Sequence, residues 1–171
     1  MKVNLKVIAT FVVSLVLLSC GDDSGLVEYY PTPALVGKIK FISKVPPVDS
    51  LKSMRIGASP FYPLYSTFDS ILTQGILTGK IPVTSTLNLE GLDSGDVINF
   101  TFDLPPGEYK YIALLHQYGT NFLVDWQVIS VYGSTKTTPN PKSLTLTQKG
   151  KIDDVDLIVD FKNLPPQPFK K

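Results

Sequence analysis

The sequence predicts an all-β chain with one antiparallel β-sandwich. Three observations carry that prediction. Past residue 36, apolar residues recur with period two, as they do on half-buried strands. Turn residues separate these runs at intervals of about ten to fifteen residues, the spacing of a sandwich or barrel. No stretch has a long amphipathic helix.

The strands follow in order. In "GKIKFIS", Ile39 and Phe41 fall on one face and Lys38 and Lys40 on the other. "SMRIGAS" sets Met54, Ile56 and Ala58 against Arg55, and "TSTLNLE" sets Leu87 and Leu89 against Thr86, Asn88 and Glu90. "VINFTFD" aligns Ile98, Phe100 and Phe102. "EYKYIALLHQ" alternates Tyr109, Tyr111, Ala113 and Leu115 with Lys110, Ile112, Leu114 and His116. Its centre is apolar on both faces, which places it mid-sheet. "FLVDWQVISVY" reads as another long strand, with Phe122, Val124, Trp126, Val128 and Ser130 on one face and Trp126 in the core. "SLTLTQ" is a short strand, and "VDLIVDF" ends the domain with Val155, Leu157, Val159 and Phe161 inward. One short helix is expected at 66–75, "STFDSILTQG". Ser66 would cap it, Phe68, Ile71 and Leu72 would face the core, and Gly75 would stop it. The breakers are Pro46-Pro47, Leu92 to Asp96, Pro105-Pro106-Gly107, Pro139-Asn140-Pro141 and Gly150.

The amino terminus has a different character. Lys2 and Lys6 precede "VIATFVVSLVLL", an uncharged run too short for the roughly 20 apolar residues that span a bilayer. Ser19 and Cys20 follow. Leu17-Leu18-Ser19-Cys20 resembles the lipobox of bacterial lipoproteins. The resemblance implies diacylglycerol on the Cys20 sulfur, cleavage before Cys20 and acylation of the new amino terminus by a fatty acid such as palmitate. Two or three acyl chains hold a protein stably to a membrane where one does not. Cys20 is the only cysteine, so the mature chain is expected to fold without a disulfide. The acidic pair Asp22 and Asp23 resembles the surface-export signal of Bacteroidota lipoproteins. In proteobacterial lipoproteins an aspartate at that place implies inner-membrane retention, and a plain solvated tether is the third reading. The expected organisation is a signal peptide at 1–19, a lipidated terminus and tether at 20–35, a sandwich at 36–163 and a Pro-rich tail at 164–171 that frays.

Loss of the signal removes Lys2 and Lys6, leaving 14 basic and 15 acidic residues and a formal charge of −1. Nothing basic is left to attract nucleic acid.

"FDLPPGEYKYIALLH", residues 102–116, resembles the signature of transthyretin-like and carboxypeptidase-regulatory-like sandwiches, a group that includes Cna-B-like domains. "GKIKFISKVPP" resembles the matching first strand and "DDVDLIVDF" the last. In physical terms, Pro105-Pro106 ends a strand, Gly107 allows a tight turn, and Tyr109 re-enters the core. The resemblance implies a fold, with an immunoglobulin-like sandwich as the alternative topology. It implies no activity.

Catalytic chemistry finds little support. His116 is the only histidine and is expected at a strand end on the sheet surface. "GLDSG" at 91–95 is out of register with a nucleophile elbow. Histidine and cysteine at transition-metal spacing are absent. Asp154 and Asp156, two apart on a strand, are the candidate calcium pair, with a solubilising face as the alternative. Asp93, Ser94 and Asp96 read as a turn. Two aromatic groups stand out: Phe61, Tyr62, Tyr65 and Phe68 in a Pro-punctuated segment, and Tyr118, Phe122, Trp126 and Tyr132. Phe61, Tyr62 and Tyr65 are the candidate ligand contacts, against a role in closing the ends of the sandwich.

The expectation is a non-enzymatic, outer-membrane lipoprotein that presents its sandwich to an envelope protein or glycan. It needs no cofactor beyond the lipid at Cys20. The alternatives are a structural accessory subunit of an envelope or secretion complex, a periplasm-facing orientation and, last, a hydrolase accessory or enzyme domain.

Overall fold

A computed structural model describes residues 32–134 and 140–169. Cys20, Asp22 and Asp23, with the expected signal and most of the tether, lie outside the described residues. Among these residues nine strands form an all-β sandwich, with 36% of the described residues in strands and 8% in helix, and the sheets close no barrel.

The first sheet is built around β1 (Ala34–Phe41), which pairs antiparallel with β3 (Val97–Asp103). On its other side β1 runs parallel to β8 (Lys151–Ile152) and β9 (Leu157–Val159). This sheet is therefore mixed, where the sequence predicts antiparallel pairing throughout. Alternation reports which face a residue occupies and carries no information on strand direction. The second sheet has the order β2 (Ser53–Ser59), β5 (Tyr111–Gln117), β6 (Trp126–Val131), antiparallel throughout. A small pair, β4 (Gly107–Tyr109) with β7 (Leu144–Leu146), stands beside them.

Between the sheets lies a core of Leu35, Ile39 and Phe41 from β1, Met54, Ile56 and Ala58 from β2, and Ile112 and Leu114 from β5, with Leu157 and Val159 from β9. Ile39, Phe41, Met54, Ile56, Ala58, Leu157 and Val159 are inward residues that period two selects, whereas Leu35, expected in the tether, is fully buried because β1 begins at Ala34. Each large side chain buried here contributes about 1.5–3 kcal/mol. Gly37 makes the β8–β9 connection fit. A Cβ there would collide with the Val155 carbonyl, and the Val155 N–H donates to the Val36 carbonyl at 3.1 Å.

Four local expectations change. "EYKYIALLHQ" divides at Lys110 into β4 and β5, so Tyr109 joins the inter-sheet core while Tyr111 and Ala113 turn to the opposite face. Gly107 opens β4 with open space at its Cβ position and no positive φ, so its conformational freedom goes unused. The Tyr109 hydroxyl instead secures the corner by donating to the Pro105 carbonyl at 2.8 Å. "TSTLNLE" is not a strand but lies along the outer edge of β2, where Thr84 N–H donates to Ile56 and Leu87 N–H to Met54. The helix runs over Phe68–Ser70 and continues as a wider turn over Ile71–Ile76, with Leu77 N–H reaching back five residues to the Leu72 carbonyl. Its cap is Thr67, whose hydroxyl accepts from Ser70 N–H at 3.2 Å. It passes through Gly75 and reverses only at Gly79, where φ is +74°.

Candidate functional site

The same alternation that fills the inter-sheet core loads the opposite face of the second sheet. Arg55 and Gly57 of β2, Ala113 and Leu115 of β5, and Trp126 and Val128 of β6 belong to that outer face. The helical segment covers part of it with Phe68, Ile71 and Leu72. The carboxy-terminal residues cover another part. Where the sequence predicts fraying, the tail is packed as far as Phe169, which is buried against Phe68, ring centroids 5.3 Å apart. Gln167 completes the edge of β6, its Oε1 accepting from Val128 N–H at 2.8 Å and its Nε2 donating to the Val128 carbonyl at 2.9 Å. A side-chain amide thus takes the place of a neighbouring strand.

This cover is incomplete. Between the end of the helical segment and β6 lies a cleft of about 130 Å³. Its walls are apolar, including Leu72, Ile76, Val83, Leu115 and Trp126, and Arg55 supplies the single charged group. Arg55 Nη1 donates to the Thr84 carbonyl at 3.0 Å, while Nε is buried with no hydrogen-bond acceptor.

The rim is apolar as well. Leu77 and Phe122, both in the lining, are 71% and 49% exposed, and Leu123 and Val124, next to Phe122 in the chain, are 56% and 54% exposed. The last three do not continue β6 as the sequence suggests. Residues 121–125 form a turn in which Asp125 N–H donates to the Asn121 carbonyl at 2.9 Å. The flanking polar side chains tie that turn: Asn121 Oδ1 accepts from Leu123 N–H at 3.0 Å, and Asp125 Oδ2 from Asn121 N–H at 2.8 Å. Trp126 is buried, as its strand position predicts, and its indole N–H donates to the Phe122 carbonyl at 2.7 Å. A fixed turn therefore holds three consecutive hydrophobic side chains in solvent, against the usual preference.

The candidate contacts Phe61, Tyr62 and Tyr65 divide. Phe61 and Tyr65 pack edge to face at 5.2 Å and are half-buried against the outer-face cluster. Tyr62 is exposed and stacks on the buried Tyr111, centroids 5.2 Å apart and planes within 4°. Burial pushes the Tyr111 hydroxyl well above its ordinary pKa, with the neighbouring Tyr62 adding to the rise.

His116 is not at the surface. It is 2% exposed, with Nε2 2.9 Å from the Ser50 carbonyl and Nδ1 3.3 Å from the Gln127 side-chain amide. The neutral ring satisfies both contacts when Nε2 carries the proton and Nδ1 accepts. Burial lowers its pKa, against an opposing pull from the Ser50 carbonyl.

Asp154 and Asp156 lie in the connection between β8 and β9 rather than on a strand, and Asp154 adopts a φ of +61°. Asp156 Oδ1 accepts from Lys38 N–H at 3.0 Å, which fastens the connection to β1. Asp93 and Asp96 hold the expected turn, with Asp96 Oδ2 accepting from Asp93 N–H at 2.7 Å. Among the described residues, no three of His, Cys, Asp and Glu come together to hold a metal ion, and no helix is long and apolar enough to cross a membrane.

Sequence reasoning missed Arg55 and the 122–124 rim as a unit, yet both left a signal. Arg55 is the only arginine in the chain and interrupts an otherwise apolar strand. Phe122-Leu123-Val124 is a run of three hydrophobic residues between Asn121 and Asp125, which a two-sided strand explains poorly. No family model, curated protein or solved structure matches the chain.

Proposed function

We propose that this protein is a lipid-anchored, non-enzymatic binding module of the cell envelope, and that it meets a protein partner with the apolar rim of the Arg55 cleft. One observation carries the contact surface: Leu77 and Phe122 stand exposed at a cleft that Trp126 also lines, and Leu123 and Val124 extend the exposed apolar run from Phe122. Aliphatic and aromatic side chains held in solvent by a tied turn suit a protein surface better than a glycan. The absence of catalysis is supported by His116, whose two ring nitrogens are both engaged. The anchor rests on the lipobox resemblance at Cys20, and export to the outer face rests on Asp22 and Asp23.

The test is site-specific photocrosslinking in intact cells. A photoreactive residue at Leu123 is expected to yield one discrete protein adduct. The same residue at Ile158, equally exposed on β9 in the other sheet, is expected to yield none. Equal yields from both positions contradict the assigned surface. Labelling with radioactive palmitate, lost in Cys20→Ala, tests the anchor. Protease accessibility of whole cells, lost in Asp22→Ala/Asp23→Ala, tests the export signal.

A second reading has its own observation. The edge of β2 is covered by residues 82–87 and the edge of β6 by Gln167, but β3 has β1 as its one strand partner among the described residues. A strand added to β3 would make the protein a structural subunit. Crosslinks from Thr101 rather than Leu123 would favour it.

A further inference from the structure

The charge in the cleft identifies what the rim is built to receive. Lys110 pairs with Glu108 and Lys151 with Asp153, and neither pair involves Arg55. Arg55 lines an apolar cleft, with Nη1 on the Thr84 carbonyl and Nε buried without an acceptor. A partly buried cation that lines a cleft and is paired with no carboxylate in either ion pair is complementary to an anion, and arginine suits a carboxylate in particular. The size of the cleft limits the rest of the ligand. At about 130 Å³ it is near the volume of the protein cavities of about 150 Å³ that hold one benzene.

We infer that the cleft binds the carboxy-terminal residue of a partner polypeptide. Its apolar side chain lies against Trp126 and Leu115, its terminal carboxylate meets Arg55, and the preceding residues cross the rim. This deepens the proposed function and rests on it. The rim decides between a polypeptide and a small free acid. An acid with a ring-sized body would fill the cleft and leave Leu123 and Val124, which lie outside its lining, in water, whereas a chain leading away past Phe122 covers them.

Trp126 is the only tryptophan and lines the cleft, so its emission reports occupancy. The full-length chain in detergent is titrated with N-acetyl-Gly-Gly-Phe, with the same peptide as its carboxamide, and with phenylacetate. The free acid peptide is expected to give a saturable change. The carboxamide is expected to bind about tenfold more weakly, the loss of one charge-assisted hydrogen-bonding contact. Phenylacetate is expected to bind more weakly than the peptide. The acid–amide comparison needs no altered protein, so it stands even if Arg55 variants misfold. In Arg55→Gln the difference between acid and amide is expected to vanish.

Equal binding of acid and amide overturns the role of Arg55, and no saturable response overturns the site. Phenylacetate binding as tightly as the peptide overturns the polypeptide assignment in favour of a small acid. The two proposals fail separately. A crosslink from Leu123 without acid preference leaves the rim as a docking surface and removes the carboxylate. Acid preference without a crosslink does the reverse.

Discussion

The two faces of the β2–β5–β6 sheet are made by the same strands and end in different states. One face carries Met54, Ile56, Ala58, Ile112 and Leu114, and the opposing sheet closes over it completely. The other carries Arg55, Leu115, Trp126 and Val128 under a short helical segment and a tail, and it stays open at one end. Sheets that pack face to face interdigitate along their length. A helical segment of nine residues and a few tail residues cannot cover the whole outer face. The closed face is where stability should reside. The open face is where a change can alter binding and leave the fold intact.

Substitutions on the closed face test this contrast most strongly. Ile56→Ala or Leu114→Ala leaves a cavity between two rigid sheets and should cost about 2–5 kcal/mol in urea unfolding. The tail is intermediate, because Phe169 is buried only at the margin of the second cluster. Phe169→Ala should cost about 1.5–3 kcal/mol and also loosen Gln167 from β6, seen as faster hydrogen exchange at Val128.

A smaller effect comes from pH. Burial holds the His116 pKa below its unfolded value of about 6.5. Between the two values the unfolded chain binds a proton that the native chain does not. Stability is therefore full above about pH 6.5 and falls as pH drops toward the native pKa. Asp160, whose carboxyl is lowered chiefly by the Asn163 side chain, acts in a separate window. Its contribution is present above the unfolded carboxylate pKa and is lost further into acid. Unfolding midpoints measured between pH 7.5 and 5 should decline for the wild type and stay nearly level for His116→Gln.

How far these features were legible depends on whether they are local. Period two identified β2 and β3 to the residue, and the inward sets Ile39/Phe41 and Val155/Leu157/Val159, because burial on one face of a strand is written in alternation. The burial of Trp126 was legible for the same reason. The parallel pairing of β1 with β8 and β9 was not, since direction is set by the path of the chain between strands. The division of "EYKYIALLHQ" was hidden because Lys110 interrupts the ladder without disturbing the alternation. His116 was misplaced because a polar residue at a strand end reads as exposed, and its partners Ser50 and Gln127 come from separate segments. The cleft was the least legible feature. It exists because residues from 55, 72–77, 115 and 122–126 converge, and no periodicity within one segment encodes that meeting.

The most direct test of the central claim, that the rim is a contact surface rather than a weak part of the core, is the double variant Leu77→Ser/Leu123→Ser. Urea unfolding and photocrosslinking from Val124 are measured on the same protein. A stability within about 0.5 kcal/mol of the wild type is expected, as for exposed sites, together with loss of the Val124 adduct. A large loss of stability, or an adduct that persists undiminished, would contradict it.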